Sequence, residues 1–301
     1  MNLGVNFLGI HMKSPLIAAS GTFGFGLEYE EYMNLDSIGA ISCKGLSLNP
    51  WKGNIGVRIA ETPSGILNCI GLENPGVDYF KINYLPRLKK YEVPVICNVV
   101  GKDIEEYGKV AKALSVEGVD ALEINISCPN VKQGGISFGT DIKMAYEVTR
   151  EVKRNTNLPV IMKLSPNVTD IVSLAEAVEE AGADAVSLIN TLMGMAIDAG
   201  TRKPVLGNIT GGLSGPAIKP IALCMVWKVC RAVHIPVCGL GGIMTGEDVA
   251  EFMIAGASAV QVGTASIVSP DAIPRITGEL DDWCRKNHVE NINDIVGTLQ
   301  V

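Results

Sequence analysis

Lys44, Lys163, Asn98, Asn125, Asn190 and Cys128 are the residues of this 301-residue sequence best placed for chemistry, because each stands at or just beyond the end of a short apolar run. Buried ammonium and amide groups are costly unless a partner or a ligand satisfies them, so two lysines and three asparagines in such places point to one shared pocket. One lysine alone would suit a Schiff base, whereas two fixed cations suit stabilisation of negative charge on a ring or its carbonyl oxygens. Two further runs close on glycines, Gly239-Leu240-Gly241-Gly242-Ile243 and Gly263-Thr264-Ala265. Bare backbone lets main-chain N–H groups approach an anion, so this pair reads as a phosphate seat.

Cys128 lies in Asn125-Ile126-Ser127-Cys128-Pro129-Asn130, ahead of Gly134, Gly135 and Gly139. A free thiol ionises near pH ~8.5 and can take a moderately acidic carbon-bound proton once substrate excludes water. No histidine stands near it in sequence to activate it for acyl transfer, so it reads as a general base, with the glycine-containing stretch behind it as a lid. The two lysines fit a reduced flavin, whose ring carries negative charge that partial neutralisation would stabilise. The three histidines, His11, His234 and His288, lie far apart and away from the apolar runs, so no metal site is expected.

These residues are spaced by a repeated pattern. One kind of run opens on proline: Pro15 to Ala19, Pro94 to Asn98, Pro159 to Lys163 and Pro236 to Gly239. The other follows glycine: Gly39 to Lys44, Gly118 to Asn125, Gly182 to Asn190 and Gly256 to Gly263. Runs this short and this evenly apolar read as strands covered on both faces. Helical spacing fills the intervals, most clearly over Ile104 to Glu117, Asp141 to Thr156, Asp170 to Ala181 and Lys219 to Val233, with glycine after each helix as a C-terminal cap. Eight strands alternating with helices predict a (β/α)8 TIM barrel as one domain over residues 1–301, with functional insertions at the C-terminal face of the strands. An open doubly wound sheet also alternates strand and helix, but its glycine fingerprint belongs in the first strand-to-helix turn, and here the glycines come late. Two connections, 46–78 and 191–217, are long and rich in Gly, Pro and Asn, and are expected to build on the barrel mouth.

Composition excludes several classes of function. Apolar residues at 47% allow a sizeable core, and 25 basic against 32 acidic residues give a net charge of −7, which argues against nucleic acid as a partner. An anionic ligand must therefore be held by local lysines. The eight cysteines are scattered with no C-x-x-C pair, as expected of reduced thiols in a cytoplasmic protein. No signal-like N-terminus and no uninterrupted apolar span long enough for a membrane is read, so no membrane is expected.

The runs Asn68 to Gly76, Asn125 to Asn130, Lys163-Leu164-Ser165-Pro166-Asn167, Asn190-Thr191 and Gly239 to Ile243 resemble the class 1 dihydroorotate dehydrogenases, from Ser14 to about Ala272. Within that class, Val131-Lys132-Gln133-Gly134-Gly135 and the Lys163 run are similar to the B type. The resemblance implies oxidation of (S)-dihydroorotate to orotate in pyrimidine biosynthesis, with FMN bound. Cys128 would take the C5 proton while hydride leaves C6 for the flavin, with Lys44 and Lys163 also catalytic. Ser20, Lys44, Gly45, Asn98, Asn125, Lys163, Ile189, Gly215, Gly241, Gly242, Gly263 and Thr264 would hold FMN. Lys44, Asn68, Cys69, Ile70, Gly71, Leu72, Asn125, Asn190 and Thr191 would hold substrate: amides give donor and acceptor to an imide-like ring, and lysine offsets the carboxylate. Cys69 is a second thiol in that segment and reads as a packing variant.

The resemblance also implies a partner, an iron-sulfur flavoprotein carrying FAD and a [2Fe-2S] cluster, in a heterotetramer of two of each chain, with NAD as final acceptor. Cluster ligands need tightly spaced cysteines, which this sequence lacks. Three readings compete. One is the A type, a fumarate-linked homodimer without a partner. A second is a flavin-free aldolase or isomerase using Lys44 or Lys163 as Schiff-base amine. The third is a non-catalytic phosphate-binding barrel. Dihydropyrimidine dehydrogenase carries similar motifs in a far longer chain.

Overall fold

The eight apolar runs fold into eight parallel strands that close on themselves. In a computed structural model, which describes residues 1–126 and 139–301, the barrel strands are β1 (Leu16–Ala18), β2 (Ala40–Ser42), β3 (Val95–Val99), β4 (Ala121–Asn125), β5 (Val160–Lys163), β6 (Ala185–Leu188), β7 (Val237–Leu240) and β8 (Ala259–Val262). Each pairs with the next in the chain, β8 pairs β1, and the sheet is a closed barrel. Every residue of these strands is buried, which is why their sequences are apolar without alternation. Truncating Leu122 or Ile124 of β4, both fully buried, is expected to cost about 2–5 kcal/mol.

Helices α1 (Val77–Asn83), α2 (Leu85–Leu88), α3 (Ile104–Leu114), α4 (Ile142–Asn155), α5 (Ile171–Glu180), α6 (Lys219–Cys230), α7 (Gly246–Ile254), α8 (Thr264–Val268) and α9 (Ala272–Lys286) follow the strands. Short polar side chains start the main ones. Asp103 accepts from Glu106 N at 2.8 Å, Asp141 from Met144 N at 3.0 Å, and Thr245 and Asp248 form a reciprocal capping box on α7. The expected glycine caps hold only in part. Gly182 and Gly256 follow α5 and α7 at φ 98° and 120°, whereas α4 ends on extended Thr156 and α6 on Arg231.

The two long connections do build on the mouth, and they do so together. Ile59–Thr62 and Gly65–Asn68 form a hairpin, Leu192–Met195 and Thr210–Ser214 a second, and the two join in one antiparallel sheet through the pairs Gly212 with Asn68 and Ser214 with Ile66. Most thiols of the described residues are packing: Cys43, Cys69, Cys97, Cys238 and Cys284 are buried, and burial pushes Cys230 up to about 12. Cys224 on α6 departs from that pattern and is exposed. Among the described residues no helix is long and apolar enough to cross a membrane.

Candidate active site

The C-terminal ends of the barrel strands and the overlying sheet enclose one cavity, with about 1270 Å³ of free space including its open mouth. That is room for a nucleotide-sized ligand and a small acid side by side. Its floor is built on a residue that lies below the strand ends. Glu123, fully buried at the middle of β4, accepts from Ser187 Oγ at 2.9 Å and Gln261 Nε2 on one oxygen, and on the other from Ser42 Oγ at 3.0 Å, Asn98 Nδ2 at 2.7 Å and Lys163 Nζ at 3.3 Å. The donors come from β2, β3, β5, β6 and β8, so one carboxylate ties five strands. Burial pushes the Glu123 carboxyl up, but the Lys163 ammonium and the hydrogen bonds outweigh it and hold it below its ordinary range.

Lys163 is thereby fixed. Its Nζ also donates to Gln261 Oε1 at 3.2 Å and approaches Ser20 Oγ at 3.5 Å, and its side chain is 5% exposed. An ammonium so partnered is a poor Schiff-base nucleophile, since that role needs a free neutral amine. Lys44 stands across the cavity in a different setting. Its backbone N donates to Gly24 O at 2.7 Å, and its ammonium is half-buried. Burial pulls its pKa down, Glu73 and Glu28 pull it back, and Arg58 pushes it further down. Arg58 and Glu73 form an ion pair on the rim, 35% and 47% exposed and so screened by water. Arg58 holds the Glu73 carboxyl below its usual range.

The segment after the first hairpin is clamped over the cavity. Asn54 N and Nδ2 donate to Ile70 O and Cys69 O at 2.9 and 3.0 Å. Buried Asn74 accepts from Ser47 N and Gly76 N and donates to Leu72 O at 2.8 Å. Gly71 sits at φ 79° with no room for a side chain, since a Cβ there would come within 2.6 Å of Asn54 N. Asn68, Ile70, Gly71 and Leu72 line the cavity. Cys69 does not, and its thiol packs with Leu67 and Leu206. Asn190 and Thr191 also line the cavity, where Asn167 Nδ2 donates to Thr191 O at 3.0 Å and Met193 N donates to Asn167 Oδ1 at 2.9 Å. Asn125 ends β4 with its carbonyl accepting from Tyr107 OH at 2.9 Å.

The glycine ends meet at the far side. Gly215, Gly241, Gly242, Gly263 and Thr264 all line the cavity, as do Ser20, Gly45, Asn98 and Ile189. Gly242 has φ 77°, and a Cβ there would lie 2.8 Å from Lys219 N and 2.9 Å from Gly215 O, so backbone is packed on backbone. Thr264 Oγ1 donates to Ser214 Oγ at 2.9 Å. Glycine loops after β7 and β8 are the usual barrel phosphate seat.

These residues suit a phosphorylated flavin. Asn98 gives its Nδ2 to Glu123, which fixes the amide, and its Oδ1 is a buried acceptor with no partner among the described residues. An orphaned acceptor is costly until a ligand N–H meets it, and a flavin ring carries an imide N–H.

Every expected site residue except Cys69 and Cys128 therefore lines one cavity. Cys128, its flanking Ser127 and Pro129 to Asn130, and the expected lid lie outside the described residues. Sequence reading missed Glu123, Gln261, Glu73 and Ser214. A signal existed for the first two: a glutamate inside Ala121-Leu122-Glu123-Ile124-Asn125 and a glutamine inside Val260-Gln261-Val262 are polar residues in otherwise apolar strands.

A family profile described as dihydroorotate dehydrogenase matches residues 2–283. The chain is similar to the catalytic subunits of dihydroorotate dehydrogenase B (NAD(+)) from Geobacter sp. strain M21, at 56% identity over all of this chain and 99% of that one, and from Desulforamulus reducens, at 55% over the same shares. The relative of the same description from Alkaliphilus metalliredigens is 51% identical over 99% of each chain.

Proposed function

Because the chain belongs to the dihydroorotate dehydrogenase family, we propose that its cavity divides into an FMN seat over Lys163 and a dihydroorotate seat beneath the Asn68 to Leu72 segment. The protein oxidises dihydroorotate to orotate in pyrimidine biosynthesis, with NAD as the linked acceptor. FMN, when bound, supplies the acceptor for the hydride that leaves C6. Lys163, Asn98, Ser20, Gly45, Asn125 and Ile189 would hold the ring, and Gly215, Gly241, Gly242, Gly263 and Thr264 the ribityl phosphate. Lys44 would offset the substrate carboxylate, while the carboxamides of Asn68, Asn125 and Asn190 and the hydroxyl of Thr191 take up the ring's polar edge. Cys128 would receive the C5 proton, so that the C5=C6 double bond forms as proton and hydride depart from adjacent carbons.

The observation that carries this reading is the orphaned Asn98 Oδ1, on an amide whose nitrogen shares Glu123 with the fixed Lys163 ammonium, in a cavity also lined by Lys44, Asn68, Asn125 and Asn190. Electrons then leave for NAD through a second subunit. We assign that subunit FAD and a [2Fe-2S] cluster, because no cysteines of this sequence stand at cluster spacing; two copies of each chain in a cytoplasmic setting follow from the family likeness. Purification of the untagged chain from its native cell tests the partner: co-purifying iron and a second flavin are expected, and full-rate NAD reduction by this chain alone would contradict it. For the base, Cys128→Ser should keep its flavin while dihydroorotate bleaches it about 10²- to 10⁴-fold more slowly. An unchanged bleaching rate would remove Cys128 from the reaction.

A further inference from the structure

Glu123 is a buried charge that the reaction as described does not use. It accepts from five side chains on five strands, which saturates a carboxylate with about four lone-pair sites and leaves it nothing to offer a ligand. Yet three of its partners, Asn98, Lys163 and Gln261, line the cavity. A buried ion pair of this kind is weak evidence for a role in stability, since apolar residues of the same volume commonly serve as well. Its distinctive effect is electrostatic. Lys163 alone would present a whole positive charge to whatever lies above it, whereas Lys163 with Glu123 3.3 Å away presents a dipole with its positive end toward the cavity. In a water-poor site such a difference is felt several ångströms away.

We propose that Glu123 is a positioning residue that sets the reduction potential of the bound flavin through Lys163, by holding that ammonium still and cancelling much of its field. The proposal rests on the FMN seat described above. It separates two things that Lys163 does: its N–H donors orient the ring, and its net charge, trimmed by Glu123, tunes how readily the ring is reduced. Gln261 completes the device, donating to Glu123 and accepting from Lys163, so that the two charges keep one fixed geometry.

The test is an anaerobic potentiometric titration of the flavin in the holoprotein, with sulfite affinity as a second readout. Glu123→Gln keeps the shape and removes the charge. Reduction should become easier by about tenfold in the equilibrium constant, about 30 mV for a two-electron couple, and sulfite should bind tighter in the same proportion. Lys163→Gln should move both readouts the other way. The double variant Glu123→Gln/Lys163→Gln should return to within about threefold of the original, because the two fields largely cancel. A Glu123→Gln flavin with an unshifted potential overturns the proposal, and so does a double variant that matches Lys163→Gln alone. If the unpaired lysine of Glu123→Gln prevents folding, the double variant, which buries no lone charge, is read against Lys163→Gln: a potential that rises from that variant back toward the original supports the proposal, and one that matches it overturns the proposal. A wild-type chain that takes up no FMN would overturn the seat, a failure distinct from a loaded flavin whose potential ignores Glu123.

Discussion

The floor and the rim of the cavity each carry a lysine and a glutamate, and they solve the same electrostatic problem in opposite ways. On the floor, Lys163 and Glu123 are 5% and 0% exposed and are locked by serine, asparagine and glutamine side chains. On the rim, Lys44 is half-buried, and Glu73 pairs with Arg58 at the water boundary. A cofactor that stays bound needs a charge that does not fluctuate. A substrate that must enter and leave is better met by a cation whose neighbours are solvated. The contrast teaches that the two lysines, alike in the sequence, are different devices.

Breaking each pair should expose that difference most clearly. Lys163→Met leaves Glu123 buried without its counter-charge, and should cost about 3–5 kcal/mol of unfolding free energy. Glu73→Ala on the rim should cost at most about 1 kcal/mol, with salt masking even that. Denaturant titrations of both variants check the pair of numbers, and equal losses would erase the distinction. Next in size, Lys44→Met should weaken orotate binding about 10- to 100-fold, the loss of a hydrogen-bonded charge contact. Fluorescence titration of the holoprotein with orotate measures it.

Acid and alkali should separate the two regions by sign. Glu123 is held below its ordinary value of 4.5, so its contribution to stability is complete above that pH and is lost as pH falls through the lower folded value. Lys44 is held below its ordinary 10.5. Between its folded value and 10.5 the unfolded chain binds the extra proton, so apoprotein stability rises with pH there while orotate affinity falls as the charge is lost. Orotate affinity that stays flat up to pH 10.5 would contradict the assignment of Lys44. The smallest effect belongs to Cys69→Ala: about 1 kcal/mol of stability from the satellite cluster, with orotate affinity unaltered. A change in affinity would return Cys69 to the substrate wall.

The barrel was legible because each strand is a short apolar run fenced by proline or glycine, and burial on both faces makes each run continuously apolar. The cavity wall was legible for the same reason: polar residues such as Asn125 and Asn190 stand where those runs stop. The mouth sheet was not. Ile59–Thr62 alternates exposed and half-buried, and Thr210–Ser214 carries Gly211 and Gly212, so neither announces a strand, and their pairing joins segments about 140 residues apart through tertiary contact alone. Glu123 stands in the middle of its apolar run and not at the end that faces the cavity, yet a charge in the middle of a buried strand is the stronger signal.

The most direct measurement is a crystal structure of the chain with FMN and orotate bound. The flavin ring is expected to lie over Lys163 with Asn98 Oδ1 meeting a ring N–H, and orotate between that ring and Lys44, with its carboxylate on the Lys44 side. A flavin seated against the Arg58–Glu73 rim, or an Asn98 acceptor still without a donor, would contradict the division of the cavity into a fixed floor and a responsive rim.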